Sequence, residues 1–203
     1  MKPFYILNVV AGASLALAIL GGAGEFTAPP DGAPQYDVDG KLLFPADYRD
    51  WVFLSSGLDM SYSAAPENGQ HIFNNTFVPR VAYDAFLKTG TWPDKTVILL
   101  ENRGGGTDVS INKRGVVQTT DVAGFEAHVK DTARFKGGWG FFGFDGDKPA
   151  QMIPMTASCY SCHQAHGAVD TTFVQFYPTL LPVATKDGTL DPGYVKETAA
   201  KGK

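Results

Sequence analysis

This sequence of 203 residues has only two cysteines, and only 19% of its side chains are charged. Its 17 Lys and Arg are outnumbered by 21 Asp and Glu, for a net charge of −4. No positive excess exists to hold a phosphate backbone, which argues against nucleic acid as a partner. Low charge does not mean disorder here. A hydrophobic content of 44%, with 12% aromatic residues, is enough to build a core. Long apolar runs are equally scarce. The one present, Val9 to Leu20, follows Lys2 and leads into Gly21, Gly22 and Ala23. That layout reads as a cleaved secretory signal over residues 1–23, which would deliver the chain to the periplasm. The alternative is an uncleaved anchor, because Phe4 to Leu20 sits at the lower limit of a membrane span.

Residues 24–46 contain Pro29-Pro30, Asp31-Gly32 and Asp39-Gly40, each a turn former, and are expected to be a flexible arm with little packing. Beyond it, residues 47–203 are read as a single domain. Tyr48, Trp51, Val52 and Ser55 have helical spacing after Asp47, so a short helix ending at Gly57 is expected. A strand is predicted near His71 to Val78, then a helix with Val81, Ala82, Ala85 and Phe86 on one stripe, closed by Gly90. Thr96 to Leu100 reads as a strand covered on both faces, and Gly104 to Gly106 as a hairpin loop. Phe125, Ala127 and Val129 alternate with Glu126, His128 and Lys130, which places the first set on the core and the second toward water. Asp131 can cap a short helix stopping at Gly137-Gly138, and Trp139 to Phe144 reads as another strand. The sum is an α+β fold, mainly antiparallel sheet with a few short helices.

Both cysteines fall in Cys159-Tyr160-Ser161-Cys162-His163, the attachment pattern for haem c on a C-terminal loop. Thiols three positions apart can each add to one of the two vinyl groups of a haem, and His163 then meets the iron as its axial ligand. A disulfide between Cys159 and Cys162 would close only a tiny loop and stabilise little. A thioredoxin-type pair needs a βαβ unit that is not evident before Cys159. Zinc could be held by Cys159, Cys162 and His166 with His71 or His128, but that set leaves His163 unexplained. No Met follows His163, which excludes the electron-carrier layout of an early haem motif and a late Met ligand. Met60, Met152 and Met155 lie upstream, so an open sixth position on the iron is expected. His166, three residues on, is read as a propionate partner or a surface residue.

In sequence order, Tyr48-Arg49-Asp50-Trp51, Thr89-Gly90-Thr91-Trp92-Pro93-Asp94, Val129-Lys130-Asp131, Gly137-Gly138-Trp139-Gly140-Phe141, the haem motif and Phe173-Val174-Gln175-Phe176-Tyr177 resemble the cytochrome P-460 family, which includes the cytochromes c-prime-beta. The resemblance implies a mostly antiparallel β fold, a homodimer, one haem c on an open iron, and oxidation of hydroxylamine or binding of nitric oxide. Cytochromes P-460 also carry a lysine bonded to the haem edge. Here Thr96 to Glu101 contains none, and the flanking Lys88 and Lys95 read as solvated. The two function classes are therefore a redox enzyme acting on hydroxylamine or nitric oxide with an electron-transfer partner, and a non-catalytic binder of NO or CO; an electron-transfer cytochrome ranks third. Asp59, Glu67 and Glu101 are candidate bases for the enzyme. Trp51, Phe73, Phe77, Leu99 and Leu100 are candidate pocket walls, and Arg49 could reach a propionate or simply be exposed. Asn74-Asn75-Thr76 fits a glycan acceptor.

Overall fold

The computed structural model describes residues 31–61 and 70–201. The signal segment 1–23 and Glu67 lie outside them. The strands are β1 (Val52–Leu58), β2 (His71–Val78), β3 (Val97–Gly106), β4 (Val117–Lys130) and β5 (Trp139–Phe144). They form one sheet in the order β1-β2-β3-β4-β5, each antiparallel to the next. Four short helices join them: α1 (Arg80–Thr89) between β2 and β3, then α2 (Ser158–His166), α3 (Leu181–Asp187) and α4 (Pro192–Lys201) after the sheet. The fold is α+β, as the alternation of strand and helix signals implies. Among the described residues no helix is long and apolar enough to cross a membrane.

Period-two alternation divides the apolar side chains between two layers. On one face, Phe77, Leu99, Ala127, Phe142 and Phe144 pack with Tyr48 and Leu42. On the other, Val78, Ile98 and Trp139 meet Phe86 of α1, then Trp92, Val174 and Leu180. Each fully buried side chain of the size of Phe86 or Leu99 contributes roughly 1.5–3 kcal/mol of hydrophobic stabilisation. α1 fits its sequence signals: Ala82 and Phe86 share its buried stripe, and Gly90 closes it at φ 68°, donating its N–H to the Phe86 carbonyl. β2 begins and ends where its apolar pattern does.

Elsewhere the chain departs from local expectation. After Asp47 there is only a single 3-10 turn, Tyr48–Asp50, and Val52 to Leu58 is an edge strand. Tertiary pairing of Val52 with Val78 and Phe53 with Phe77 overrides the weak helical spacing. Gly104 to Gly106 continue β3, paired with β2 and β4, and the hairpin loop comes after them. Asp131 accepts the Arg134 N–H in a turn, and no helix follows. From residue 31 the supposed arm is packed: Leu42 is buried and bridges to Tyr36 and Ala150. Asn74 lies mid-strand with its amide donated to Asn102, and Asn75 is buried, so the glycan-type triplet is part of the sheet.

Candidate functional site

The haem motif is helical. Cys159, Cys162 and His163 occupy positions i, i+3 and i+4 of α2 and leave it on one side, so the motif lies on a helix and not on the expected loop. Both thiols are free and half-buried, and no residue of α2 is fully buried. The helix is held to the sheet through Tyr160, whose hydroxyl accepts the Phe141 N–H at 3.1 Å and donates to the Ile153 carbonyl at 3.0 Å. Burial raises the pKa of that phenol. At its far end, His166 meets Glu197 of α4 at 2.8 Å, so it is a helix-to-helix contact.

His163 is prepared to be a ligand. Its Nδ1 lies 2.9 Å from the Thr171 carbonyl oxygen. A carbonyl only accepts, so Nδ1 carries the proton and Nε2 keeps its lone pair, the tautomer a metal requires. Burial holds the imidazole below its ordinary pKa, and the Thr171 bond opposes this in part. The ring is stacked on Phe173 at 4.0 Å and meets Phe141 and His128 edge-on at 4.6 and 5.0 Å.

The carbonyl reaches His163 because the chain reverses sharply after α2. A Cβ on Gly167 would lie 2.7 Å from both the His163 oxygen and the Thr171 carbonyl carbon, so only glycine fits there. Asp170 and Thr171 then adopt φ of 51° and 60°, and the Thr172 N–H closes on the Val169 carbonyl at 2.8 Å. Two consecutive positive φ values make this a tight reverse turn of the primed kind, which a β-branched Thr rarely adopts.

His128 is 7% exposed, not turned to water. It lies on the outward set of β4, but α2 and the segment after it cover that face at this height. Its ring stacks on Phe141 at 4.0 Å, and its Nε2 is buried without a partner. Burial and the nearby His163 hold its pKa well below the ordinary value, so it is neutral. Lys130, also assigned to solvent, is half-buried and ion-paired with Asp170. Glu126 is exposed as expected.

Beyond the Ile98, His128 and Phe141 rung, Glu126 and Gly143 on the same face are exposed and Leu100 is half-buried, while Thr76 toward the β1 edge is buried. Thr76, Leu100, Glu126 and Gly143 are in register across β2 to β5, followed by Asn74, Asn102 and Gly124. Among the described residues, no atom lies within 4 Å of a Cβ built on Gly124 or Gly143. This floor, two of whose seven residues are glycines, adjoins the His128 and Phe141 rung that the His163 ring of α2 meets edge-on.

Of the proposed walls, only Leu100 is on this side. Phe77, Leu99 and Trp51 pack in the opposite layer, and Phe73 has their strand parity, because neighbouring residues on a strand cannot share a face. Glu101 is also opposite, fully buried, and held by Tyr48 at 2.5 Å, Arg49 at 2.5 Å, Arg103 at 2.7 and 2.9 Å and Asn75 at 3.1 Å. Arg49 is therefore tied to Glu101 and not to the motif. Asp59 pairs with His71 at 2.7 Å, and Lys95 with Asp131, while Lys88 is exposed. Met152 packs in the Leu42 layer, Met155 is exposed before α2, and the Met60 sulfur sits over Gly57 at the β1 edge. Among the described residues no group of three or more His, Cys, Asp or Glu side chains converges as a metal would require, so the zinc set is not assembled.

The family model for cytochrome P460 matches residues 45–174, well over half of the chain and including the motif. The chain belongs to the cytochrome P460 family. Membership implies a haem cofactor. The chemistry present fits one: an imidazole with a free Nε2, two free thiols a helical turn apart, and an open sheet face beside them. No curated protein matches the chain. Sequence reading found the two thiols and the imidazole, but missed Gly167 and the Thr171 carbonyl. The available signal was the Gly directly after the helical motif.

Proposed function

We propose that this member of the cytochrome P460 family is an exported, mono-haem c-type cytochrome. In this reading Cys159 and Cys162 hold the haem through thioether bonds, His163 is its axial ligand, and the far side of the iron is accessible to small nitrogen compounds such as hydroxylamine and nitric oxide. When bound, the haem supplies a redox-active iron able to take electrons from such a ligand. The observation that carries the reading is the Nδ1 of His163 held at 2.9 Å from the Thr171 carbonyl, which assigns the proton to Nδ1 and leaves Nε2 its lone pair. The N-terminal sequence pattern supports export to the periplasm. A homodimer and an electron-transfer partner follow from the resemblance and belong to the same proposal.

A second reading, reversible binding of NO or CO without turnover, is favoured by where the carboxylates lie. Oxidation of hydroxylamine needs a group to accept protons. Glu101 is committed to Arg49, Arg103 and Tyr48 in the opposite layer, and Asp59 to His71. Glu126, exposed and in register with Leu100, is the carboxylate that the enzyme reading would have to use.

The purified, haem-loaded protein separates these readings. A Soret band of the ferrous form that moves on addition of NO or CO establishes the open iron. Hydroxylamine-dependent reduction of an added acceptor, lost in Glu126→Gln, establishes the enzyme; an unmoved Soret band and a low-spin ferric spectrum reject both and support an electron carrier.

A further inference from the structure

Three features of the chain converge on the turn that presents the Thr171 carbonyl to His163. Asp170 and Thr171 are both in the left-handed region, at φ 51° and 60°, a conformation that Asp tolerates but that a β-branched Thr adopts only when its surroundings impose it. Lys130, from the last position of β4, pairs with Asp170 and also donates to the Trp92 carbonyl at 2.8 Å. Trp92, fully buried, donates its indole N–H to Thr172 Oγ1 at 2.9 Å, and that hydroxyl in turn donates to the Val169 carbonyl at 2.6 Å. Lys130 and Trp92 thus grip the turn from both sides of Thr171, and neither touches His163.

We propose that Lys130, Asp170 and Trp92 are positioning residues that hold the strained turn so that the Thr171 carbonyl sets the proton position, the ring plane and the donor strength of His163. The inference rests on the reading of His163 as the iron ligand. A strained turn with no function would relax to ordinary geometry at little cost. Here it is clamped by an ion pair and a buried indole bond, at the one point where the backbone meets the imidazole. A stronger acceptor at Nδ1 makes Nε2 a better donor, so the iron's potential and its bond to Nε2 should respond to residues that are not in contact with the ligand.

The test compares haem-loaded Lys130→Met, Lys130→Arg, Asp170→Asn and Thr171→Gly. Intact mass reports covalent haem, the ferrous resonance Raman spectrum reports the iron–imidazole stretch, and redox titration reports the potential. Lys130→Met and Asp170→Asn are expected to keep full haem mass but to displace and broaden the iron–imidazole band and shift the potential. Lys130→Arg should restore both toward the native values. Thr171→Gly, which relieves the strain without removing the carbonyl, should be more resistant to urea and keep the native band. If Lys130→Met and Asp170→Asn keep the native band and potential, the clamp has no such role, whatever their stability. Should Lys130→Met fail to fold, Asp170→Asn, whose amide retains the side chain's shape, decides alone. Absence of haem mass from the native protein would overturn the functional reading itself, and is distinguished from failure of the clamp by the native control.

Discussion

On the face of the sheet that carries Leu99 and Phe142, the one fully buried carboxylate is completely satisfied. Glu101 takes hydrogen bonds from Tyr48, Arg49, Arg103 and Asn75, and Asn75 in turn exchanges amide bonds with Gln118 and accepts from Ser56. On the face that carries His128, three buried polar atoms have no hydrogen-bond partner among the described residues: His128 Nε2, Trp139 Nε1 and Asn74 Oδ1. The Tyr36 hydroxyl is the corresponding lapse on the closed side. A buried, unpaired polar atom costs about 1–3 kcal/mol, so a face that tolerates several while leaving two glycines uncovered is arranged for something other than its own stability. The satisfied side is the scaffold, and the unsatisfied side is the one that the proposed reading gives to the haem.

The largest effect should come from the open side. Replacing both Cys159 and Cys162 by Ala removes the thiols without touching a core residue. All haem that survives denaturing electrophoresis should vanish, while each single variant retains one thioether. Persistence of the full haem stain in the double variant would show that the attachment lies elsewhere.

The closed side should fail through folding instead. Burial alone would raise the Glu101 carboxyl, but hydrogen bonds from Arg103, Tyr48 and Asn75 and the Arg49 charge outweigh it and bring the pKa down to about 2. A carboxylate held below its ordinary value adds stability that is complete above about pH 4.5 and is lost as pH falls from there toward 2. Glu101→Gln leaves two arginines without their counter-charge and should cost about 3–5 kcal/mol at neutral pH. Its urea midpoint should also depend less on pH between 4.5 and 2 than that of the native chain. An equal acid dependence in both would mean that another carboxylate controls acid unfolding.

The same contrast explains what could be read from the sequence. β2, α1 and β5 were legible because pattern and local propensity agree with the tertiary pairing. Cys159, Cys162 and His163 stand out in the sequence because covalent attachment of a haem would need that spacing. Alternation on β4 gave the correct two faces, yet His128 was assigned to water. Period two reports which residues share a face, not whether a later segment covers it. The covering pieces, α2 and the Ala168 to Phe173 turn, begin 28 residues after the end of β4 and carry no pattern pointing to it. Glu101 reads as a candidate base, and its buried structural role is missed for a related reason: its partners Tyr48 and Asn75 come from distant segments, and Arg103 from its own strand. Leu99 and Leu100 seemed equivalent as walls until the pleat put them on opposite faces.

The smallest effect is also the sharpest comparison, because it uses two glycines three residues apart on β5. A Cβ at Gly140 would lie 3.1 Å from the Phe135 ring in the closed layer, whereas one at Gly143 meets nothing within 4 Å on the open face. Neither glycine has a positive φ, so backbone conformation does not separate them. Gly140→Val should therefore lower the urea midpoint, by about 1–3 kcal/mol of overpacking, and leave the ferrous absorption spectrum unchanged where the protein folds. Gly143→Val should change stability by less than about 0.5 kcal/mol, since an exposed strand position tolerates a β-branched residue. Its effect should instead be on the loaded protein, as a displaced Soret band or weaker NO binding, because the added methyl groups project over the floor beside Leu100 and Glu126. If Gly143→Val binds NO with native affinity and an unshifted band, the haem does not lie over that floor, and the open face serves some other contact.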